Sequence, residues 1–191
     1  MSYHRTGTYV AFHAGGTTDP TASDIKYYRM LKAWAEHKHI DFKFADSHEK
    51  TAAVRDTSLR ATLERRLIER MKCSRQMLLI LTEETRLDTD WVPFEIKYAV
   101  DACEIPIIAA YPGHNWVLEP ASLRPLWPLA LRERIDGGTA RVVHIPFRRA
   151  AIFAALSQFN ISNKEYPTNG LGYYSQEAQA NWGFFTRAAT A

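Results

Sequence analysis

The sequence predicts an α/β protein in which a five-stranded parallel sheet is covered by helices on both faces. Strand-like and helix-like segments alternate five times along the chain, which is the pattern of parallel strands joined by helical crossovers. Two of the strand-like segments, Met77–Leu81 and Ile105–Tyr111, are almost continuously apolar, as strands at the centre of such a sheet are. With 191 residues, 46% of them apolar and 24% charged, the chain is long enough for one globular domain with an appendage.

The first strand is predicted at Thr8–His13, because this β-rich run ends in a loop at Gly15–Gly16. The segment Thr21–Asp24 resembles a capping box and therefore predicts the start of the first helix. Near-helical spacing places four apolar side chains on one face of that helix, namely Ile25, Tyr28, Leu31 and Ala35.

The second strand is predicted at Ile40–Phe44, where apolar and polar residues alternate. A long polar loop then runs to about Thr57. In the helix that follows, apolar residues recur at every fourth position, at Leu59, Leu63, Leu67 and Met71.

A third helix is predicted from about Asp90 to Cys103, with Pro93 in its first turn, where a missing N–H costs nothing. A short helix is predicted near Ser122–Trp127. The remaining regular elements are strands at Ile105–Tyr111 and Arg141–Ile145 and a last helix at Phe147–Phe159.

The chain changes composition at Asn160, and from there it is rich in Asn, Gly, Tyr and Ser. Its aromatic residues are Tyr166, Tyr173, Tyr174, Trp182, Phe184 and Phe185. Because exposed aromatic clusters are rare, we expect this extension to pack on the domain or on a second subunit. The predicted division is a domain at residues 1–159 and an aromatic-rich C-terminal extension at 160–191.

Composition and missing motifs exclude several function classes. The net charge of +3 is too small to indicate a nucleic-acid partner, and no apolar run approaches the roughly 20 residues that a membrane span needs. Met1–Arg5 lacks the apolar stretch of a signal peptide, and two cysteines, Cys73 and Cys103, do not make a disulfide framework, so we expect a cytoplasmic protein. Glycine-rich phosphate loops are absent, and no metal site is expected.

A cluster of basic residues occupies the second crossover, at Arg55, Arg60, Arg65, Arg66, Arg70, Lys72 and Arg75. Such a cluster is most often the solvated face of one helix. The alternative is that one or two of these side chains face a phosphate group.

The segment Asp88–Ala99 carries the main candidate site. Glu95 is predicted in the first turn of a helix that begins just past the C-terminal end of a buried strand, and Trp91 lies four residues earlier. In open α/β sheets ligands bind at that edge, and loops containing His13 and Asp46–His48 should reach the same crevice. A carboxylate beside an indole suits chemistry on a sugar bonded to a flat base. A Glu that only compensates the helix dipole is the alternative interpretation.

Residues 8 to 159 resemble the TIR domain. Asp90-Trp91-Val92-x-x-Glu95-Ile96 is similar to the D-W-x-x-x-E-[IL] segment of NAD-consuming TIR domains. The strand-plus-Asp segment Phe42–Asp46, and the helix, Ser and strand of Leu67–Leu81, are also similar to TIR segments. More narrowly, three strings resemble the TIR-like subunit of the bacterial Thoeris antiphage system, namely Ala11–Ala14, Asp46–Lys50 and Pro106–Gly113.

The resemblance implies a flavodoxin-like fold and a TIR enzyme that converts NAD⁺ into a cyclic ADP-ribose isomer. It implies that Glu95 is catalytic and that substrate contacts come from Trp91, Asp46, Ser47, His13, Phe12 and His48. NAD⁺ is then the substrate, and no separate cofactor or metal is expected. The implied partners are a phage-derived trigger, an effector protein reached through the nucleotide signal, and further copies of the chain.

The residues suit this reaction, because breaking the nicotinamide–ribose bond releases neutral nicotinamide and leaves positive charge on the ribose. One carboxylate in a crevice that excludes water can stabilise that charge. Two alternatives remain open. One is a TIR scaffold that turns over nothing, and the other is a nucleoside deoxyribosyltransferase, which also uses a Glu on a related sheet. Tyr9 and Phe12 are interpreted as core residues, and Asp46 and Ser47 are equally compatible with capping or turning the chain.

Overall fold

The computed structural model describes residues 5–15, 23–37, 44–46, 57–163 and 169–182. Its strands run in the order β2-β1-β3-β4-β5-β6, and every neighbouring pair is parallel. The strands are Gly7–Ala11 (β1), Phe44–Asp46 (β2), Ser74–Ile80 (β3), Ile107–Tyr111 (β4), Val142–Pro146 (β5) and Gly172–Tyr173 (β6). The first five have the flavodoxin-like order, which confirms the predicted fold class.

Helices connect these strands on both sides of the sheet. They are Ile25–His37 (α1), Thr57–Lys72 (α2), Glu83–Leu87 (α3), Trp91–Lys97 (α4), Leu129–Asp136 (α5), Arg149–Gln158 (α6) and Gln176–Ala180 (α7). A π-helical segment at Tyr98–Ala102 continues α4, and a 3₁₀ helix spans Pro120–Leu126. None of the described helices combines the length and apolarity that a bilayer span needs.

The core has two layers because successive side chains of a strand point to opposite faces of the sheet. Tyr9 lies with the layer that packs against α2, α4 and α5, and its neighbour Val10 lies with the layer that packs against α1 and α6. The predicted apolar face of α1 is buried, and Leu67 and Met71 of α2 are buried in the first layer. The hydrophobic period therefore located the core face of α1, and in α2 it located Leu67 and Met71, whereas Leu63 is half-buried.

Several elements differ from the sequence prediction. The helix α3 was missed, although Thr82 caps it by accepting a hydrogen bond from the Thr85 N–H at 3.2 Å. The third helix is α-helical only to Lys97 and then widens into the π-helical segment. The helix α5 was also missed. The predicted strand residues 40–43 lie outside the described residues, and β2 itself covers Phe44–Asp46.

The C-terminal extension contributes a sixth strand, which was not predicted. Gly172 and Tyr173 pair with Val143 and His144 of β5. Beyond this strand, the Gln179 side chain accepts from the Val117 N–H at 3.0 Å and donates to the Val117 carbonyl at 2.8 Å. These contacts attach residues 172–180 to the sheet and to the loop after β4. The division of the chain at residue 159 stays a prediction.

A buried polar chain links the centre of the sheet to this extension. Tyr111 donates to Nδ1 of His144 at 2.6 Å and accepts from Nε1–H of Trp127 at 2.8 Å, while His144 Nε2–H donates to the Gly170 carbonyl at 2.8 Å. The carbonyl acceptor requires the proton on Nε2, so Nδ1 is the acceptor for Tyr111. Burial lowers the pKa of His144 to about 4 and raises that of the Tyr111 hydroxyl, so both side chains are neutral at physiological pH.

Candidate active site

Glu95 lies on α4 and is 3% exposed, which is unusual for a carboxylate. It is the fifth residue of the helix, and the first turn of α4 contains no acidic residue. The prediction that Glu95 lies in the first turn was therefore wrong, and α3 separates α4 from β3. Because the helix-dipole effect fades within the first turn, dipole compensation is a weak explanation for a buried Glu at this position.

One contact that fixes Glu95 comes from the first strand. The Tyr9 hydroxyl donates to Oε1 of Glu95 at 2.5 Å, and Tyr9 is fully buried. That distance is typical of a hydroxyl donating to an ionised carboxylate. The Glu95 side chain is almost fully covered by the protein.

Trp91 lies one helical turn before Glu95, so the two residues share a side of α4. Its ring is half-buried and packs edge-on against Phe94, with 6.2 Å between ring centroids. Arg60 of α2 lies over the same ring, with its guanidinium 5.0 Å from the ring centroid. Both terminal nitrogens of Arg60 also bond the Asp90 carboxylate, at 2.5 and 3.2 Å. Arg60 is thus tied to the start of α4 and covers one side of Trp91.

Asp88 connects the end of β1 to the start of α4. Its Oδ1 accepts from the N–H groups of Asp90 and Trp91 at 2.8 and 3.0 Å, which orients the first residues of the helix. Its Oδ2 lies 2.9 Å from Nδ1 of His13, which follows β1. Asp88 therefore holds His13 and Trp91 at the same edge of the sheet, as the sequence predicted for these two loops.

A second carboxylate, Asp24, ties the same loops together from the α1 side. It accepts from the hydroxyls of Thr82 and Thr85 at 2.8 and 2.7 Å, and its N–H donates to the His13 carbonyl. Burial raises the pKa of Asp24, and the two hydroxyl donors oppose that shift. Thr21 and Ala22 of the predicted capping box lie outside the described residues, and the Asp24 side chain binds Thr82 and Thr85 at the start of α3.

The other predicted substrate contacts are more scattered. Phe12 is buried on the α1 side of the sheet and stacks on Tyr28, with centroids 5.3 Å apart. Asp46 ends β2 and pairs in register with Val10 of β1. Ser47 and His48 lie outside the described residues. The binding roles of these four residues stay predictions.

Sequence reasoning assigned Tyr9 to the core alone and missed Asp88 as a site residue. The signal for Tyr9 was available in principle, since a tyrosine in a buried strand needs a partner for its hydroxyl. Arg60 was assigned to a solvated helix face, and it is half exposed, but it also contacts Trp91 and Asp90.

Within the described ranges, no three His, Cys, Asp or Glu side chains are grouped so that they could hold a metal ion.

A comparison with protein families supports the resemblance to TIR domains. The family described as Thoeris protein ThsB, TIR-like domain, matches residues 2–115 of this chain, which is more than half of its length. The chain belongs to the Thoeris ThsB TIR-like family. Membership gives it a TIR-type role in antiphage defence and favours that role over the deoxyribosyltransferase alternative.

The matched region contains the residues of the candidate site. It extends from before β1 to just after β4, so it includes Tyr9, His13, Asp88, Trp91 and Glu95. The elements β5, α6, β6 and α7 lie beyond it. The part of the chain that defines the Thoeris TIR-like family is therefore the part that builds the candidate active site.

Proposed function

We propose that this chain cleaves the nicotinamide–ribose bond of NAD⁺ and closes the remaining ADP-ribose into a cyclic isomer that signals infection. The observation that carries the proposal is the placement of Glu95. A buried carboxylate, fixed by Tyr9, lies one helical turn from Trp91 at the edge of a flavodoxin-like sheet where ligands bind. The family membership supports a TIR-type role for this site.

The reaction begins when the bond between ribose C1′ and the nicotinamide nitrogen breaks and its electron pair leaves with nicotinamide. The pyridinium becomes neutral nicotinamide, and the positive charge moves to the ribose as an oxocarbenium-like transition state. Glu95 stabilises that charge, and its low exposure makes the interaction stronger than it would be in water. Trp91 provides a flat apolar wall for the ribose or the nicotinamide.

Ring closure requires a nucleophile from the same molecule to attack C1′ before water does. A ring nitrogen or hydroxyl of the ADP-ribose supplies the new bond, and a hydroxyl releases its proton to a base such as the Glu95 carboxylate. Exclusion of water favours closure over hydrolysis. The buried position of Glu95 is consistent with this outcome.

The structure describes a covered site, and this is consistent with an enzyme that needs activation. Glu95 is 3% exposed, so productive binding of NAD⁺ requires side chains above it to move. We propose that a phage-derived trigger or assembly with further copies of the chain produces that opening. The cyclic product then acts on a separate effector protein.

The test is mass spectrometry of small molecules from phage-infected cells that express the wild-type chain or Glu95→Gln. We expect a cyclic ADP-ribose isomer with the wild type and none with Glu95→Gln. Glu36→Gln is the matched control, because Glu36 is exposed on α1, and it should keep the product. Equal product levels in wild type and Glu95→Gln would contradict the assignment of Glu95.

The same low exposure favours a second candidate, a TIR scaffold that acts by assembly without turnover. In that case Glu95 and Tyr9 form a structural pair. Assembly of the chain on infection, with no Glu95-dependent change in NAD⁺ or its products, would support the scaffold.

A further inference from the structure

A cavity separate from the Glu95 site opens between α1 and α6. Its volume is about 750 Å³, within the range of small-molecule sites, roughly 300 to 1,000 Å³. The turn after β4 and residues 147–150 form one side, and Trp182 forms another. The cavity lies on the α1 and α6 face of the sheet, whereas Tyr9 belongs to the opposite layer.

Aromatic rings make up much of the wall. Phe147 is at the centre of this group, with the Tyr27 ring edge-on at 5.2 Å and the Trp34 ring at 5.5 Å. The Trp182 ring contacts the Tyr174 ring edge-on, with 5.0 Å between ring centroids, and the Tyr174 hydroxyl donates to Gln158 of α6. The walls are thus braced by neighbouring rings and offer flat apolar surfaces to a ligand.

The charge on the lining is positive. Arg148 and Arg149 stand at the start of α6, and none of the described lining residues carries a carboxylate. The Arg148 guanidinium donates to the Asn115 side chain, and Arg149 has no ion-pair partner among the described residues. A positive side chain in the first turn of a helix, such as Arg149 in α6, is unfavourable beside the helix dipole, and a bound anion would compensate both.

We propose that this cavity binds a nucleoside phosphate, with its base between the aromatic walls and its phosphate groups at Arg148 and Arg149. The aromatic wall of the cavity suits the base of such a ligand, and the two arginines suit its phosphate groups. Rings favour stacking with a planar base, and guanidinium groups bind phosphate oxygens through paired N–H donors. The cavity would therefore give the chain a nucleotide-binding site distinct from the one that contains Glu95.

The first measurement is isothermal titration calorimetry of the full chain with ADP, adenosine and inorganic pyrophosphate. We expect ADP to bind about 10-fold more tightly, or better, than either fragment, because each fragment engages one half of the cavity. Pyrophosphate binding as tightly as ADP would overturn the role of the rings. Adenosine binding as tightly as ADP would overturn the role of the arginines.

The second measurement locates the ligand with substitutions at Met30, which lines the cavity on α1 and is 43% exposed. Met30→Lys and Met30→Glu should both fold, because the position is exposed, and they differ in the sign of one charge. We expect Met30→Glu to bind ADP about fivefold more weakly than Met30→Lys, given the Coulomb energy of one charge pair near a surface.

Arg149→Gln should weaken ADP binding about 10-fold, as expected for the loss of a charged hydrogen-bond donor. Arg66→Gln is its matched control, since Arg66 is exposed on α2, and it should bind ADP like the wild type. No ADP binding, or ADP binding that is insensitive to Met30 and Arg149, would overturn the proposal. Neither result bears on Glu95, so the NAD⁺-cleavage proposal stands or fails separately.

Discussion

Replacing Tyr9 by Phe removes a single hydroxyl from the core while the ring stays in place. That hydroxyl donates to Glu95 Oε1 at 2.5 Å, and both residues are buried. Hydrogen bonds to charged groups contribute about 1.5 to 3 kcal/mol, because the charged partner loses more on desolvation than a neutral one. We therefore expect Tyr9→Phe to lower the free energy of unfolding by about 1.5 to 3 kcal/mol.

The assay is urea and thermal unfolding of the wild type, Tyr9→Phe, Glu95→Met and the double variant. For a chain of this size the single change should lower the Tm by about 3 to 12 °C. The double-mutant cycle should give a coupling energy of at least about 1 kcal/mol, since each single variant removes the same hydrogen bond.

Tyr98→Phe is the matched control for this cycle. Tyr98 is half-buried near Phe94, and its hydroxyl makes no hydrogen bond to another residue in the described part of the chain. Its loss should change the free energy of unfolding by less than about 0.5 kcal/mol. A coupling energy between Tyr9 and Glu95 within about 0.5 kcal/mol of zero would refute the reasoning, because independent sites add to that accuracy.

Two further predictions concern His144 and Arg60. The pKa of His144 is about 4 in the folded chain against an ordinary 6.5, so the unfolded chain binds the proton more readily and stability falls as pH drops from 6.5 toward 4, by about 3 kcal/mol. Unfolding curves of the wild type and His144→Gln should converge over that range, and a constant gap between the two would argue against the shift. Arg60→Ala should change tryptophan emission because it removes the cation above Trp91, while leaving thermal stability close to that of the wild type, as exposed ion pairs contribute little. The emission change should vanish in a Trp91→Phe background, and its persistence there would show that Arg60 acts on another tryptophan.

Much of the fold could be predicted because the signals that specify it are local. The apolar run at Met77–Leu81 and the spacing of Ile25, Tyr28 and Leu31 report burial directly, and all of these residues are buried. Short elements such as α3, at five residues, and β6, at two, are too brief to establish a period. The β6 strand pairs with the edge of β5, and the carboxylate of Asp24 adds a tertiary contact to the local cap of α3.

Part of the candidate site could likewise be predicted from local sequence signals, and part of it could not. The spacing of Glu95 and Trp91 already predicts that they lie on one helix near a sheet edge, because about four residues make one helical turn. The contact of Glu95 with Tyr9, 86 residues away, and that of Asp88 with His13, 75 residues away, depend on how the sheet is assembled. Spacing along the chain carries no information about such pairs, since they depend on strand order and register, which are set by the packing of the whole sheet.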